Sequence, residues 1–298
     1  MKPKVIAIVG PTASGKTNLS IQIAKALNGE IISADSRQIY KGLDIGTGKV
    51  TSEEMAGIPH HLLDVWDPSI SISVTDYTKE AQRVISEIIS RGKVPIICGG
   101  TGHYIDSFLL GFEYPEVPPN EKLRNDLESK SASELFLQLK TLDSQRASTI
   151  DAQNKRRLIR ALEIIDTLGK VPTKKTESAF NILWIGISLP QEVLEGNISK
   201  RLHSRLARGM IEEAVKIHAN GLSFARMEDL GLEYKYLAYF LKNKISKAAL
   251  EKELFIAIRQ YAKRQMTWFK KNKEIEWFDV SDQSSLEKIM QRCKQFLN

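Results

Sequence analysis

The chain has 298 residues, of which 42% are hydrophobic and 27% are charged, which is typical of a globular protein with an apolar core. Its apolar stretches are far too short to cross a bilayer, and its two cysteines exclude a disulfide framework and a cysteine metal site. Residues 1–150 carry 16 Lys and Arg against 18 Asp and Glu, whereas residues 151–298 carry 27 against 18. We therefore expect a cytoplasmic protein without a membrane partner, whose second half is suited to a polyanion.

The chain opens with a predicted strand, a glycine loop and a helix. Residues 5–9 form a continuous apolar run, as a strand buried on both faces requires. Residues 10–17 read Gly-Pro-Thr-Ala-Ser-Gly-Lys-Thr, a complete match to the P-loop pattern G-x-x-x-x-G-K-[ST], and apolar residues at helical spacing follow. Because this motif begins so early, we expect no signal or transit peptide. Its backbone N–H groups and lysine hold phosphate oxygens, but the motif leaves open which molecule carries them.

Further apolar runs alternate with helical stretches. Residues 30–34, 94–98 and 182–189 have the pattern of buried strands, residues 75–91 that of a helix, and residues 275–280 that of a last strand. This alternation predicts an α/β fold, a P-loop NTPase-like parallel sheet with helices on both faces. The second strand ends at Asp35, but the third ends in glycines and Thr101, which weakens an ATPase interpretation without excluding it.

A different pattern begins after residue 112. Three prolines interrupt the chain there, and residues 131–134 form a capping box ahead of a helical stretch. Residues 154–168 give another helix that ends at Gly169. We predict a helical domain at residues 113–179, inserted into a core of residues 1–112 and 180–298 whose C-terminal part, residues 191–269, is helical.

Seven segments, in their order and spacing, make the chain resemble the bacterial tRNA dimethylallyltransferase (tRNA isopentenyltransferase, IPP transferase) family over nearly its whole length. They are GPTASGKT at residues 10–17, DSRQIY at 35–40, IGTGK at 45–49, PHHLLD at 59–64, GGTGHYI at 99–105, RALE at 160–163 and RQYAKRQMTWF at 259–269. The resemblance implies an enzyme that transfers a dimethylallyl group from dimethylallyl diphosphate to N6 of the adenine 3′ to the anticodon of tRNA, releasing diphosphate. It also implies Mg²⁺ as cofactor, the tRNA anticodon stem-loop as partner, and a monomer.

The resemblance assigns roles to individual residues. Asp35 would accept the proton of the adenine amine, and Thr17 and Arg201 would assist departure of the diphosphate. Thr17 would also hold Mg²⁺. The diphosphate would be bound by Gly10, Thr12, Ala13, Ser14, Gly15, Lys16 and Thr17. The tRNA would be bound by Asp35, Ser36, Arg37, Gln38, Thr101, Arg156, Arg157, Arg160 and Lys263.

The residues themselves leave alternatives open. Asp35 is also suited to a turn or to a helix N-cap, and the sequence alone favours a solvated helix charge for Arg201. An isopentenyltransferase for free adenine nucleotides would need neither the insertion nor the basic second half, and a P-loop kinase or ATPase would bind ATP. His60 and His61 lack a third ligand at metal spacing, and we expect them to be structural. We expect Trp268 to pack in the core rather than to stack on RNA bases, although the basic tract around it is suited to RNA.

Overall fold

The computed structural model describes residues 2–112, 114–172 and 177–298. The chain divides into two compact units, one of Met1–Gly111 with Ser178–Asn298 and one of Phe112–Glu177. The first unit is α/β and the second is helical. Their limits lie within two residues of the domain limits proposed from the sequence.

The α/β unit is built on a parallel sheet whose strands lie in the order β3-β2-β4-β1-β5-β6. The strands are β1 (Lys4–Val9), β2 (Gly29–Ala34), β3 (His60–His61), β4 (Val94–Gly99), β5 (Asn181–Ser188) and β6 (Glu276–Asp279). Five of them confirm the predicted strands, and β3 was not predicted. Because the strands are parallel, the carboxyl ends of β1, β2 and β4 meet at one edge of the sheet, where open α/β sheets bind ligands.

Helices account for most of the remaining chain. In order they are α1 (Lys16–Leu27), α2 (Ser52–Met55), α3 (Val74–Ser90), α4 (Gly102–Leu109), α5 (Glu121–Glu128), α6 (Ala132–Leu142), α7 (Ser144–Ala147), α8 (Lys155–Leu168), α9 (Gln191–Ala207), α10 (Met210–Ala219), α11 (Phe224–Leu230), α12 (Leu232–Leu241), α13 (Lys247–Phe269) and α14 (Ser285–Leu297). The predicted helices at α1, α3, α6, α8 and α9–α13 are confirmed, whereas α14 was not predicted. Among the residues in the three described ranges, no helix is long and apolar enough to cross a membrane.

The two faces of the sheet bury different sets of side chains, which explains the unbroken apolar run of β1. Val5, Ala7 and Val9 pack in one cluster with side chains of α3, α4 and α13. Ile6 and Ile8 pack in a second cluster with side chains of α1 and α14. Since successive residues of a strand point to opposite faces, a strand covered on both sides must be apolar throughout.

The helical unit has an apolar core of its own. Leu127, Leu135, Leu139, Leu158 and neighbouring apolar side chains of α5–α8 form it. The capping box predicted at the start of α6 is present: the Ser131 hydroxyl accepts from the Glu134 amide, and the Glu134 carboxylate accepts from the Ser131 amide. This unit therefore has the local signals and the buried surface of a self-contained helical domain.

Candidate active site

A cavity of about 580 Å³ lies at the carboxyl edge of the sheet. The P-loop, the segment after β2, the end of β4 and helices α9 and α13 all contribute to its wall. Among the lining residues are Thr12, Ala13, Ser14, Gly15, Lys16, Thr17, Asp35, Gln38, Gly48, Gly99, Gly100, Asn197, Arg201, Arg205, Tyr261 and Gln265. The structure thus brings Asp35, Arg201 and the proposed diphosphate residues other than Gly10 to one cavity.

The P-loop follows β1 directly, and its backbone requires glycine at its first position. Gly10 has a φ of 148°, and a Cβ on it would lie 2.6 Å from the carbonyl oxygen of Ile187. Gly15 has a φ of 90°, and Ala13 also has a positive φ. The Ser14 hydroxyl donates to the Pro11 carbonyl over 2.8 Å and closes the loop from within. This is the compact, backbone-lined shape that phosphate groups bind.

Lys16 and Arg201 give the cavity a concentrated positive charge. The Lys16 ammonium donates to the Pro11 carbonyl oxygen over 2.5 Å. Burial lowers the pKa of Lys16 to about 8; Arg201 also lowers it, while Cys98 and Asp35 act in the opposite direction. Burial, followed by the neighbouring Arg205, lowers the pKa of Arg201 to about 10. Crowded cations of this kind favour an anionic ligand.

Diphosphate binding is expected to weaken as the pH rises through about 8, because the Lys16 ammonium then loses its proton and its charge. The measurement is calorimetric titration with an unreactive diphosphate ester that is fully ionised over this pH range. In Lys16→Met, the affinity should be lower and nearly independent of pH in that range. An equal pH-dependent loss in Lys16→Met would show that another group is responsible.

Arg201 reaches the P-loop from α9, 189 positions away along the chain. Its Nη1 donates to the Thr12 hydroxyl over 3.2 Å, and its Nη2 donates to the Gly48 carbonyl over 3.1 Å. One turn later, the buried Arg205 donates to the carbonyls of Gly46 and Thr47 and pairs with Glu233 over 3.0 Å. Two arginines of one helix therefore hold residues 46–48 beside the P-loop.

The other side of this segment is held by Glu213 of α10, which was not predicted from the sequence. One of its carboxylate oxygens accepts from the amides of Asp44 and Ile45 over 3.0 and 2.7 Å, and the other accepts from the Gly46 amide over 2.8 Å. The Tyr234 hydroxyl donates to the same carboxylate over 2.7 Å. A single anion thus satisfies three consecutive amides and fixes the loop that contacts Arg201.

Asp35 lies directly after β2 and lines the cavity. Its Oδ1 accepts from the amides of Arg37 and Gln38 over 2.9 and 3.4 Å, so it also forms the turn that the sequence allowed. Thr101, after β4, accepts from the Ser36 amide over 3.0 Å, and its hydroxyl lies 3.4 Å from that of Ser36. The ends of β2 and β4 are therefore joined beside the carboxylate.

Tyr261 and Gln265, one turn apart on α13, also face this cavity. Burial, followed by the charge of Asp35, raises the pKa of the Tyr261 hydroxyl, while the neighbouring Thr101 side chain acts in the opposite direction. Neither residue was assigned a role from the sequence. The sequence pattern nevertheless sets them apart. Both lie on the face of α13 that otherwise carries apolar residues such as Ile258, Ala262 and Phe269.

The remaining predicted tRNA residues lie in several environments. Arg37 donates to the Ser36 carbonyl, and the Gln38 side chain donates to the carbonyls of Thr47 and Gly48. Arg160 of the helical unit pairs with Glu163 and donates to the Val117 carbonyl. The structure leaves Arg156, Arg157 and Lys263 exposed.

Three aromatic side chains have structural contacts. The Trp268 indole donates to Asp106 over 2.7 Å, and the ring packs against the core. His61 contacts the Glu30 carboxylate over 2.7 Å, and His60 the Ile58 carbonyl over 2.8 Å. These contacts agree with the structural roles expected for Trp268 and the histidine pair.

Thr17 is exposed at the start of α1 and lines the cavity. In the described part of the chain, no cluster of three or more His, Cys, Asp or Glu side chains is arranged to hold a metal ion. Mg²⁺ commonly binds through one or two protein oxygens, water and the phosphates of a substrate. The Thr17 hydroxyl beside the P-loop fits this way of binding Mg²⁺.

A P-loop at the end of a central parallel strand, a cationic wall and a strand-end carboxylate define an α/β protein whose cavity is suited to a phosphorylated ligand. The family model described as IPP transferase matches residues 38–272. The chain therefore belongs to the IPP transferase family, and it is a prenyltransferase.

Similar proteins cover almost the whole chain. The tRNA dimethylallyltransferase of Anoxybacillus flavithermus is 43% identical over 303 residues, which covers 100% of this chain and 97% of that protein. The crystal structure of the full-length tRNA isopentenylpyrophosphate transferase of Bacillus halodurans matches with a TM-score of 0.77 at 37% identity, covering 100% of this chain and 97% of that one. A eukaryotic dimethylallyltransferase acting on tRNA matches with a TM-score of 0.83 at 29% identity, covering 98% of this chain and 77% of that one.

Proposed function

We propose that this enzyme transfers a dimethylallyl group from dimethylallyl diphosphate to N6 of the adenine 3′ to the anticodon of tRNA, releasing diphosphate. The observation that carries the proposal is a single cavity that is lined by the P-loop, Arg201 and Asp35 together. The similar proteins are named for the same activity on tRNA. The reaction takes place in the cytoplasm, where the two free cysteines, both buried, stay reduced.

The P-loop side of the cavity acts on the leaving group. As the C1–O bond of the donor breaks, negative charge grows on the diphosphate and positive charge on the allyl carbon. The loop amides, Lys16 and Arg201 stabilise the departing charge, and this lowers the barrier. Mg²⁺ held with Thr17 would neutralise a further part of that charge.

The Asp35 side acts on the nucleophile. The exocyclic adenine amine is a weak nucleophile, and it must lose one proton when the new N6–C1 bond forms. The Asp35 carboxylate accepts that proton, while Thr101 and Ser36 lie beside it to contact the base. Because N6 is inaccessible in a stacked anticodon loop, the base must leave the stack to enter the cavity.

The direct test incubates the protein with dimethylallyl diphosphate, Mg²⁺ and an unmodified tRNA that has adenine beside the anticodon. Nucleoside mass spectrometry should detect N6-dimethylallyl adenosine, and the matched tRNA with guanine at that position should give no product. Parallel reactions with a free adenine nucleotide as acceptor, and with ATP alone, test the two alternative activities. Product from the free nucleotide but from none of several tRNAs would refute the proposal.

The affinity for tRNA is expected to fall steeply with salt, because cations such as Arg156, Arg157 and Lys263 neutralise phosphates. The double variant Arg156→Ala, Arg157→Ala should reduce the slope of log K against log salt by roughly 0.7–0.9 for each phosphate that is no longer neutralised. Filter binding over a salt series measures it. Lys140→Ala, which removes an exposed charge from α6 of the same unit, is the control. An unchanged slope in the double variant would remove these arginines from the RNA surface.

A further inference from the structure

Gln265 of α13 connects two loops of the cavity with one side chain. It is only 5% exposed. Its Oε1 accepts from the Thr12 amide of the P-loop over 2.8 Å, and its Nε2 donates to the Gly100 carbonyl after β4 over 2.9 Å. A Cβ on Gly100 would lie 2.1 Å from this Nε2, so the close contact requires glycine there.

The two ends of this bridge belong to the two halves of the proposed reaction. At one end, the Thr12 hydroxyl accepts from Arg201, and the Thr12 amide belongs to the phosphate loop. At the other end, Gly100 precedes Thr101, whose hydroxyl accepts from the amide next to Asp35. The relative position of the leaving group and of the base therefore depends on the Gln265 amide.

The chemistry of the side chain suits this role. A carboxamide holds an acceptor oxygen and a donor nitrogen in one fixed plane, and a buried amide that uses both in hydrogen bonds is held rigidly. Tyr261 lies one turn earlier on the same helix and lines the same cavity. The same face of α13 thus contacts both loops.

We propose that Gln265 is a positioning residue for prenyl transfer, which sets the separation between the diphosphate held by the P-loop and the adenine amine at Asp35. This inference rests on the proposed function. Bond formation between two bound substrates is sensitive to their separation, and a misplacement of about 1 Å can cost about 100-fold in rate. Each substrate keeps its own contacts without the bridge, so the rate should suffer more than the affinities.

The test compares Gln265→Met, which keeps the size of the side chain and removes both hydrogen bonds, with Gln260→Met on the exposed face of α13. We expect kcat to fall roughly 10- to 100-fold in Gln265→Met. The dissociation constants of tRNA and of an unreactive dimethylallyl diphosphate analogue should stay close to those of the parent protein. Gln260→Met should have the parent's kcat and both of its dissociation constants. Gly100→Ala breaks the same bridge from its other end and should give the same pattern.

Hydrogen exchange supplies a readout that does not require turnover. The Thr12 amide should exchange about tenfold or more faster in Gln265→Met than in the parent and in Gln260→Met, because its buried acceptor has been removed. Parental kcat in a folded Gln265→Met protein would overturn the inference, as would weakened binding of both substrates with kcat retained. If the parent makes no prenylated tRNA, the proposed function fails. Unchanged exchange at Thr12 would then independently refute the bridge.

Discussion

Replacement of Asp35 by asparagine is expected to lower kcat for prenyl transfer about 10²–10⁴-fold, which is the usual contribution of a positioned general base. An amide cannot accept the proton that leaves the adenine amine. Binding of the donor should persist, because Lys16, Arg201 and the loop amides are unchanged. Single-turnover kinetics with labelled donor and calorimetric titration of an unreactive analogue measure the two quantities separately.

The choice of asparagine follows from the second role of Asp35. Asn keeps an oxygen that can accept from the amides of Arg37 and Gln38, so the turn after β2 is preserved. Asp35→Ala removes both the base and the acceptor of the turn. A larger loss of kcat in Asp35→Ala than in Asp35→Asn would therefore measure the contribution of the turn. Asp282→Asn makes the same change of charge in the exposed segment between β6 and α14 and serves as the control. Near-parental turnover in Asp35→Asn would rule out this carboxylate as the base.

Lys16→Met is expected to have the second largest effect, a loss of about 10²–10³ in kcat together with weaker donor binding. The Lys16 side chain is partly buried beside the P-loop, where an opposite charge interacts more strongly than it would in water. Methionine fills a similar volume without the charge, so packing around α1 is retained. Rapid-quench measurement of kcat at saturating donor separates the chemical step from binding.

Lys25→Met provides the matched control, since Lys25 is exposed in the last turn of the same helix. It should retain the kinetics of the parent. If Lys16→Met lost donor affinity but kept its kcat at saturation, the lysine would bind ground and transition states equally, and its assigned part in leaving-group departure would be wrong.

The sequence was sufficient for the parts of this fold that rest on local pattern. The apolar runs of β1, β4 and β5 can be recognised in the sequence because both sheet faces are covered, so no polar residue interrupts them. The P-loop can be recognised in the sequence because its backbone conformation requires glycines at a fixed spacing. By contrast, β3 has two residues and adds to β2 only through tertiary pairing, so it carries no pattern of its own.

Contacts between elements that are far apart in the sequence could not be predicted from the sequence pattern. Arg201 could be predicted as a site residue only from the family resemblance. Nothing in the sequence of α9 indicates that this one of its several cationic side chains donates to Thr12. Glu213 and Arg205 were missed because each is one polar residue in a helix of ordinary composition, and the groups that they hold at residues 44–47 belong to the backbone. Because every residue carries the same backbone groups, a contact to the backbone cannot be recognised from residue types.

The crowding of Lys16 and Arg201 has a consequence for the folded chain itself. Arg201 donates to two neutral oxygens, and the Lys16 ammonium also donates to a carbonyl. The folded protein therefore contains a repulsion between cations that the unfolded chain relieves by separating them. A multivalent anion in the cavity removes this penalty, so the melting temperature of the protein should report directly on the occupancy of its active site.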